Sequence, residues 1–253
     1  MRFPPPPILL TRRRQTPADL LRQGPSWMKP ALRIAALCVV ACLPNCSPAP
    51  KAAPAERPDV HGMTAVHKAA RANDAAELKR LLYEEKADPN LLDGDGVAPL
   101  HRAARDGTMD IVLLLLAYGA RPDLKTNTGW TPVQLAARQG RTDIVRLLID
   151  KGADIKGHAP NSMTLSQLAI KRGNTDVLNL LLLNGADVNE RLSGGDTYMH
   201  TAVRGNDFEL VNTLLAHQAD LTLTNDEGET PYALAYKLGH EAIVNALWRA
   251  GGK

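Results

Sequence analysis

Thr131-Pro132-Val133-Gln134-Leu135-Ala136-Ala137-Arg138-Gln139-Gly140 decides the fold of this chain, because the stretch recurs in variant form along most of the sequence. Its leading position reads Thr64, Ala98, Thr131, Thr164, Thr197 and Thr230, with a first interval of 34 residues and four of 33 after it. A fixed period of that length is one supersecondary unit copied in a row, each copy burying its apolar face against the next. Such a chain works by presenting a surface.

The unit reads as two helices and a turn. Thr131 suits an N-cap, and Pro132 fits the first helical position, where a missing N–H costs nothing. A short helix carries Val133, Leu135, Ala136 and Ala137, and Gly140 stops it by taking the left-handed conformation. Across the copies the stop reads Asn73, Gly107, Gly140, Gly173, Asn206 and Gly239, asparagine being the natural substitute at positive φ. A second helix begins near Thr142 and carries Ile144, Val145, Leu147 and Leu148 at helical spacing, ending at Gly152. Extended chain then leads to a turn such as Asn127-Thr128-Gly129 or Asn225-Asp226-Glu227-Gly228. Alanine holds one first-helix position in all six copies (Ala69, Ala103, Ala136, Ala169, Ala202, Ala235), which lets neighbouring helices approach closely.

These residues resemble the ankyrin repeat: a Thr-Pro-Leu-His opening (Ala98-Pro99-Leu100-His101, Thr131-Pro132-Val133-Gln134), Ala-Ala before a glycine, Leu-Leu, then Gly-Ala-Asp at Gly152 and Gly185. The resemblance implies an all-α solenoid of six helix-turn-helix repeats over residues 59–253, bounded near 59–92, 93–125, 126–158, 159–191, 192–224 and 225–253. It further implies β-turn fingers on one side, lining a concave face with the first helices. Repeat four (Thr164-Leu165-Ser166, with Pro160 and no glycine in its turn) and repeat five (Gly194-Gly195, Tyr198 in the proline position) depart from the pattern, so less regular turns are expected there. The sixth repeat reads as the C-terminal cap. The first, with Lys79, Arg80, Glu84, Glu85 and Lys86 at its second helix, reads as a water-exposed end unit.

The formal charge of +3 misleads. Residues 1–58 hold 9 Lys+Arg and 2 Asp+Glu, whereas residues 59–253 hold 21 and 25, so the repeat region is acidic by 4. That balance, and an aromatic content of 4%, point away from nucleic acid as the partner.

The first 58 residues read differently. Residues 1–27 hold a proline run and Arg12-Arg13-Arg14, and are expected to be an untranslated over-reading or a disordered leader, with Met28 as the true start. Residues 28–42 read as a secretory signal: Lys29 and Arg33, then an apolar run from Ile34 too short to span a bilayer. Val39-Val40-Ala41-Cys42 resembles a bacterial lipobox, which implies a lipid on Cys42, with Cys46 as the alternative and an ordinary cleaved signal as the other reading. Leu43 after Cys42 is not an acidic retention residue, so the resemblance implies the outer membrane, with the repeats in the periplasm. Residues 43–58, rich in proline and alanine, are expected to form a tether. All three cysteines lie upstream of the repeats.

No catalytic motif is legible. His67, His101 and His200 share one slot and read as hydrogen-bonding turn backbone between repeats; repeats ~10 Å apart cannot bring them onto one zinc. Asp93-Gly94-Asp95-Gly96 lacks the later ligands of a calcium loop and reads as a finger tip. No enzyme activity, cofactor or metal is expected, and the chain is expected to act as a monomer that binds another protein. Two sets of residues are candidates for that binding. One is a basic stripe near the end of each first helix: Arg71, Arg105, Arg138, Lys171, Arg204 and Lys237. It either meets an acidic partner or pairs with carboxylates of neighbouring turns. The other is the finger tips: Asp95, Val97, Thr128, Trp130, Asn161, Met163, Asp196, Glu227 and Glu229. Trp130 is either an interface anchor or packed over its own hairpin. The alternative biological role is a secreted effector acting on a host or foreign protein.

Overall fold

The computed structural model of the chain describes residues 58–252. The expectations for the start at Met28, the signal and the lipid on Cys42 or Cys46 fall outside the described residues.

Among the described residues twelve α-helices follow in six pairs: α1 Ala65–Ala72 and α2 Ala75–Tyr83, α3 Pro99–Asp106 and α4 Met109–Ala117, α5 Pro132–Arg138 and α6 Thr142–Asp150, α7 Leu165–Lys171 and α8 Thr175–Leu183, α9 Tyr198–Arg204 and α10 Phe208–Ala216, α11 Pro231–Leu238 and α12 Glu241–Arg249. Each first helix packs on its own second helix. The first helices form one row and the second helices another; neighbours in line touch throughout the second row and, except between α7 and α9, throughout the first. The alanines at the shared first-helix position are all buried, as are Ile111, Val112, Leu115, Ile144, Val145 and Leu148 in the second row. One continuous core runs through the stack, so every repeat depends on the next for most of its hydrophobic stabilisation.

The 34-residue first interval has a local cause. After α4, α6 and α8 the left-handed residue is Gly119, Gly152 and Gly185, each two residues past the last helical one. After α2 it is Lys86, three past Tyr83. The closing hydrogen bond accordingly runs from Ala87 N–H to Leu81 O, one residue wider than Ala153 N–H to Leu148 O.

Five of the six first-helix stops take positive φ, Asn73 (54°) and Asn206 (50°) among them. Gly107 does not: its φ is −81°. Glycine is needed there because a Cβ would sit 2.7 Å from Ala103 Cα, on the helix it has just left.

The finger turns share one hydrogen-bond pattern. Asp93 N–H donates to Val97 O and Gly96 N–H to Asp93 O, and the same two bonds recur at Thr126/Trp130/Gly129 and Asn225/Glu229/Gly228. Repeat four, expected to be less regular, keeps the pattern: Ala159 bonds Met163 O and Ser162 bonds Ala159 O, with Ser162 forced to a φ of 62°. Repeat five also keeps it. Its turn is a tight 3-10 segment, Ser193–Gly195, closed by an Arg191–Thr197 bridge.

The expected side-chain cap at Thr131 is absent: its buried hydroxyl finds no partner among the described residues. Its backbone N–H donates instead to Gln134 Oε1 at 3.1 Å. Thr164 does cap by hydroxyl, accepting Gln167 N–H at 3.2 Å. What recurs is the third helical side chain reaching back, which also serves Ala98, a residue with no hydroxyl to offer.

The two end repeats differ in chemistry. In repeat one, Glu77 and Arg80 occupy positions that are Ile111 and Leu114 in repeat two, and Arg80 pairs with Glu77 and Glu85 at 2.7 and 2.5 Å. That is a polar end. Repeat six, expected to be a cap, exposes Tyr236 and Trp248 (73% and 65%), whose counterparts Ala104 and Leu116 in repeat two are buried and half-buried. No helix among the described residues is long and apolar enough to cross a membrane.

Candidate partner-binding face

The finger residue just before each first helix and the cation near that helix's C-terminal end stand eight residues apart in every repeat: Met63/Arg71, Val97/Arg105, Trp130/Arg138, Met163/Lys171, Asp196/Arg204 and Glu229/Lys237. The chain leaves the finger and climbs two helical turns, and in repeats three, five and six the basic side chain meets the finger residue. In repeat three the Arg138 guanidinium lies 5.5 Å from the centre of the Trp130 ring, a cation–π contact. In repeat five Arg204 Nε meets Asp196 Oδ2 at 2.8 Å, and in repeat six Lys237 Nζ meets Glu229 Oε1 at 2.7 Å. The Asp196 and Glu229 carboxylates raise the pKa values of Arg204 and Lys237 and hold both firmly charged.

The stripe is therefore two stripes. In repeats five and six a finger carboxylate neutralises the cation. In repeats one to four the finger residue is apolar, and no carboxylate among the described residues lies within 4.0 Å of Arg71, Arg138 or Lys171. Arg105 pairs at 2.6 Å with the adjacent, exposed Asp106, a solvent-screened contact of little worth. Arg71, Arg102 and Arg105 line one cleft with Met63 and Asp95. All six cations are exposed, while Met63, Val97, Trp130 and Met163 are half-buried. Trp130 packs partly on the core and leaves part of its ring on the surface. Asp95, Thr128, Asn161 and Glu227, two residues earlier, are exposed at the turn tips.

A second ladder fixes the fingers against the helices. His67 Nδ1 accepts Thr64 N–H at 3.2 Å and its Nε2–H donates to Val97 O of the next finger at 2.9 Å. His101 repeats this with Ala98 N–H and with Leu124 O and Trp130 O; His200 with Thr197 N–H and Glu229 O. Gln134 does the same with its amide, toward Thr131 N–H and Gly157 O. One acceptor and one donor at opposite ends of a planar group are what the slot requires, so neutral histidine and glutamine both serve. Burial pushes His67 and His101 below the usual imidazole pKa. These rings are committed to structure, as the shared slot implies.

The ladder changes at the repeat four–five junction. Gln167 Nε2 donates to the side chain of Glu190 at 2.8 Å, not to a backbone carbonyl. Glu190 also accepts from the Thr164 hydroxyl at 3.0 Å and from the phenol of Tyr198. Tyr198 is fully buried in the proline position, and its pKa is raised by that burial and by the carboxylate. Here α7 and α9 fail to pack closely, unlike every other adjacent pair of first helices. Sequence reasoning does not find this site. The replacement of proline by tyrosine at Tyr198 is its one visible signal.

Asp93 is consumed by the finger: Oδ1 accepts the N–H groups of Asp95 and Val97 at 3.0 and 2.9 Å, and Oδ2 pairs with Arg102 at 2.5 Å. Among the described residues no group of three or more His, Cys, Asp or Glu is gathered to hold a metal.

Comparison with known proteins agrees with this architecture. A model described as ankyrin repeats (3 copies) matches residues 66–159 and again 165–252. The crystal structure of the ankyrin repeat domain of Bcl-3, a member of the IkappaB family, is similar at a TM-score of 0.65 and 24% identity, covering 76% of this chain and 88% of that one. At that identity the likeness speaks for the fold alone. The repeated unit, the stacked helix pairs and the twofold match over both halves of the stack place this chain in the ankyrin-repeat family.

Proposed function

We propose that the chain is a non-catalytic scaffold held at a bacterial envelope, binding a periplasmic or envelope protein through its fingers and first helices. Ankyrin repeats mediate protein–protein interaction. The observation that carries the reading is the finger face itself. A rigid backbone, laced by the His/Gln ladder, presents side chains that differ from rung to rung while the packing beneath them stays constant. Trp130, half-exposed beneath Arg138, is the anchor. The envelope reading rests on the basic start at Lys29 and Arg33, the apolar run from Ile34 and the lipobox-like Ala41-Cys42.

Crosslinked pull-down from envelope extract tests the binding. Wild-type chain retains a discrete partner, and the Trp130→Ala, Arg105→Glu, Arg138→Glu variant loses it while its circular dichroism at the assay temperature stays that of the folded protein. Equal retention by both overturns the assignment of this face. Labelled-palmitate incorporation tests the anchor: Cys42→Ala abolishes label and releases the protein from membranes. Unlipidated wild-type protein in the medium instead favours a released effector.

A further inference from the structure

Resting on the reading of this face as a protein-binding surface, we infer that repeats one to four take an extended acidic segment of the partner, with a carboxylate at every third residue. Charge complementarity is the first ground. Arg71, Arg105, Arg138 and Lys171 form four successive exposed rungs, each eight residues after an apolar or aromatic finger residue, and three of them meet no carboxylate among the described residues. The same positions in repeats five and six are already neutralised, at 2.8 and 2.7 Å, by Asp196 and Glu229. The cationic run therefore has a defined end. That end coincides with a structural break, the junction where Tyr198 and Glu190 replace the usual contact and α7 and α9 stand apart.

Spacing is the second ground. Adjacent packed helices lie ~8–10 Å apart, which sets the distance between rungs. A polyproline-type chain rises ~3.1 Å per residue with about three residues per turn, so every third side chain falls on one face, ~9 Å from the last. A β-strand alternates faces at period two and would point every second such carboxylate away. Carboxylates at i, i+3, i+6 and i+9 of a polyproline-type segment thus meet the four rungs in turn. The apolar residues between them lie against Met63, Val97, Trp130 and Met163. The net acidity of residues 59–253 disfavours nucleic acid at the same face.

The test is fluorescence anisotropy on the full chain with two fluorescein-labelled peptides of equal composition. One repeats Glu-Pro-Leu four times; the other gathers the four glutamates at one end. The expected result is about tenfold tighter binding of the in-register peptide, lost in the Arg138→Glu, Lys171→Glu variant and steepened at low salt. Lys237→Glu should stay within about twofold of wild type, since its rung is already occupied. Equal affinity for the two peptides overturns the proposal. So does unchanged affinity in the double variant when its melting temperature is also unchanged, and so does displacement by oligothymidylate in preference to peptide. A pull-down in which the double variant still captures the wild-type partner would overturn the acidic segment while leaving protein binding intact. Loss of capture by Trp130→Ala but not by the double variant would overturn it in the same way.

Discussion

The Tyr198 hydroxyl donates to the carboxylate of Glu190, eight residues before it, and so joins the finger side of repeat five to Thr164 and Gln167 of repeat four. Every other outward bond from this slot in the described residues ends on a backbone carbonyl. Tyr198 is fully buried, so the phenol has no water to fall back on. Tyr198→Phe should therefore cost ~1.5–3 kcal/mol, the worth of a hydrogen bond to a charged group. Urea unfolding checks it through a lower midpoint at unchanged slope.

Acid should weaken the stack through His67 and His101. Both are buried with Nδ1 accepting and Nε2–H donating, and burial lowers their folded pKa below the ordinary 6.5. As pH falls through the unfolded value, the unfolded chain takes up protons that the folded chain refuses. Their stabilisation is thus fully present above that value and is lost below it, at up to ~1.4 kcal/mol per pH unit for each ring, until the folded pKa is reached. His101→Gln, which copies Gln134, should keep the fold and flatten this dependence. A melting curve at several pH values that is identical in both proteins would refute the assignment.

Ser162 holds the left-handed position of its finger at a φ of 62°, where five other fingers use glycine. A side chain there costs ~1–2 kcal/mol, partly offset in the variant by glycine's greater unfolded entropy. Ser162→Gly should raise stability by ~0.5–1 kcal/mol. Differential scanning calorimetry would show it.

Thr131 and Thr164 should respond oppositely to valine. The Thr131 hydroxyl is buried without a partner, so Thr131→Val removes only an unmet group and should be neutral or stabilising by up to ~1 kcal/mol. The Thr164 hydroxyl accepts from Gln167 N–H and donates to Glu190, so Thr164→Val should cost ~1–3 kcal/mol. Paired thermal melts decide it.

Much of the fold is legible in the sequence because its causes are local. Pro132, Pro99 and Pro231 begin helices, and the asparagines and glycines at the stops end them, each acting within one turn of chain. The role of the His slot is legible because its spacing from the capping residue is constant. Gly107 is the exception among the stops: the residue is required, but by contact with Ala103 and not by positive φ, and a one-letter pattern cannot separate the two. Repeat six reads as a cap in sequence, and the exposure of Tyr236 and Trp248 on it is visible only in the structure.

The sequence by itself determined the period, the paired helices, the family and the existence of a basic stripe, all carried by residues that act on near neighbours. Only the tertiary structure decided which rungs of that stripe are spent. The finger must fold back over its own helix before Asp196 can neutralise Arg204 or Trp130 can lie under Arg138. Glu190 must be brought across to Thr164 and Gln167, 26 and 23 residues away, before the junction exists. Both depend on distances of a few ångströms between side chains, set by packing and not by order along the chain.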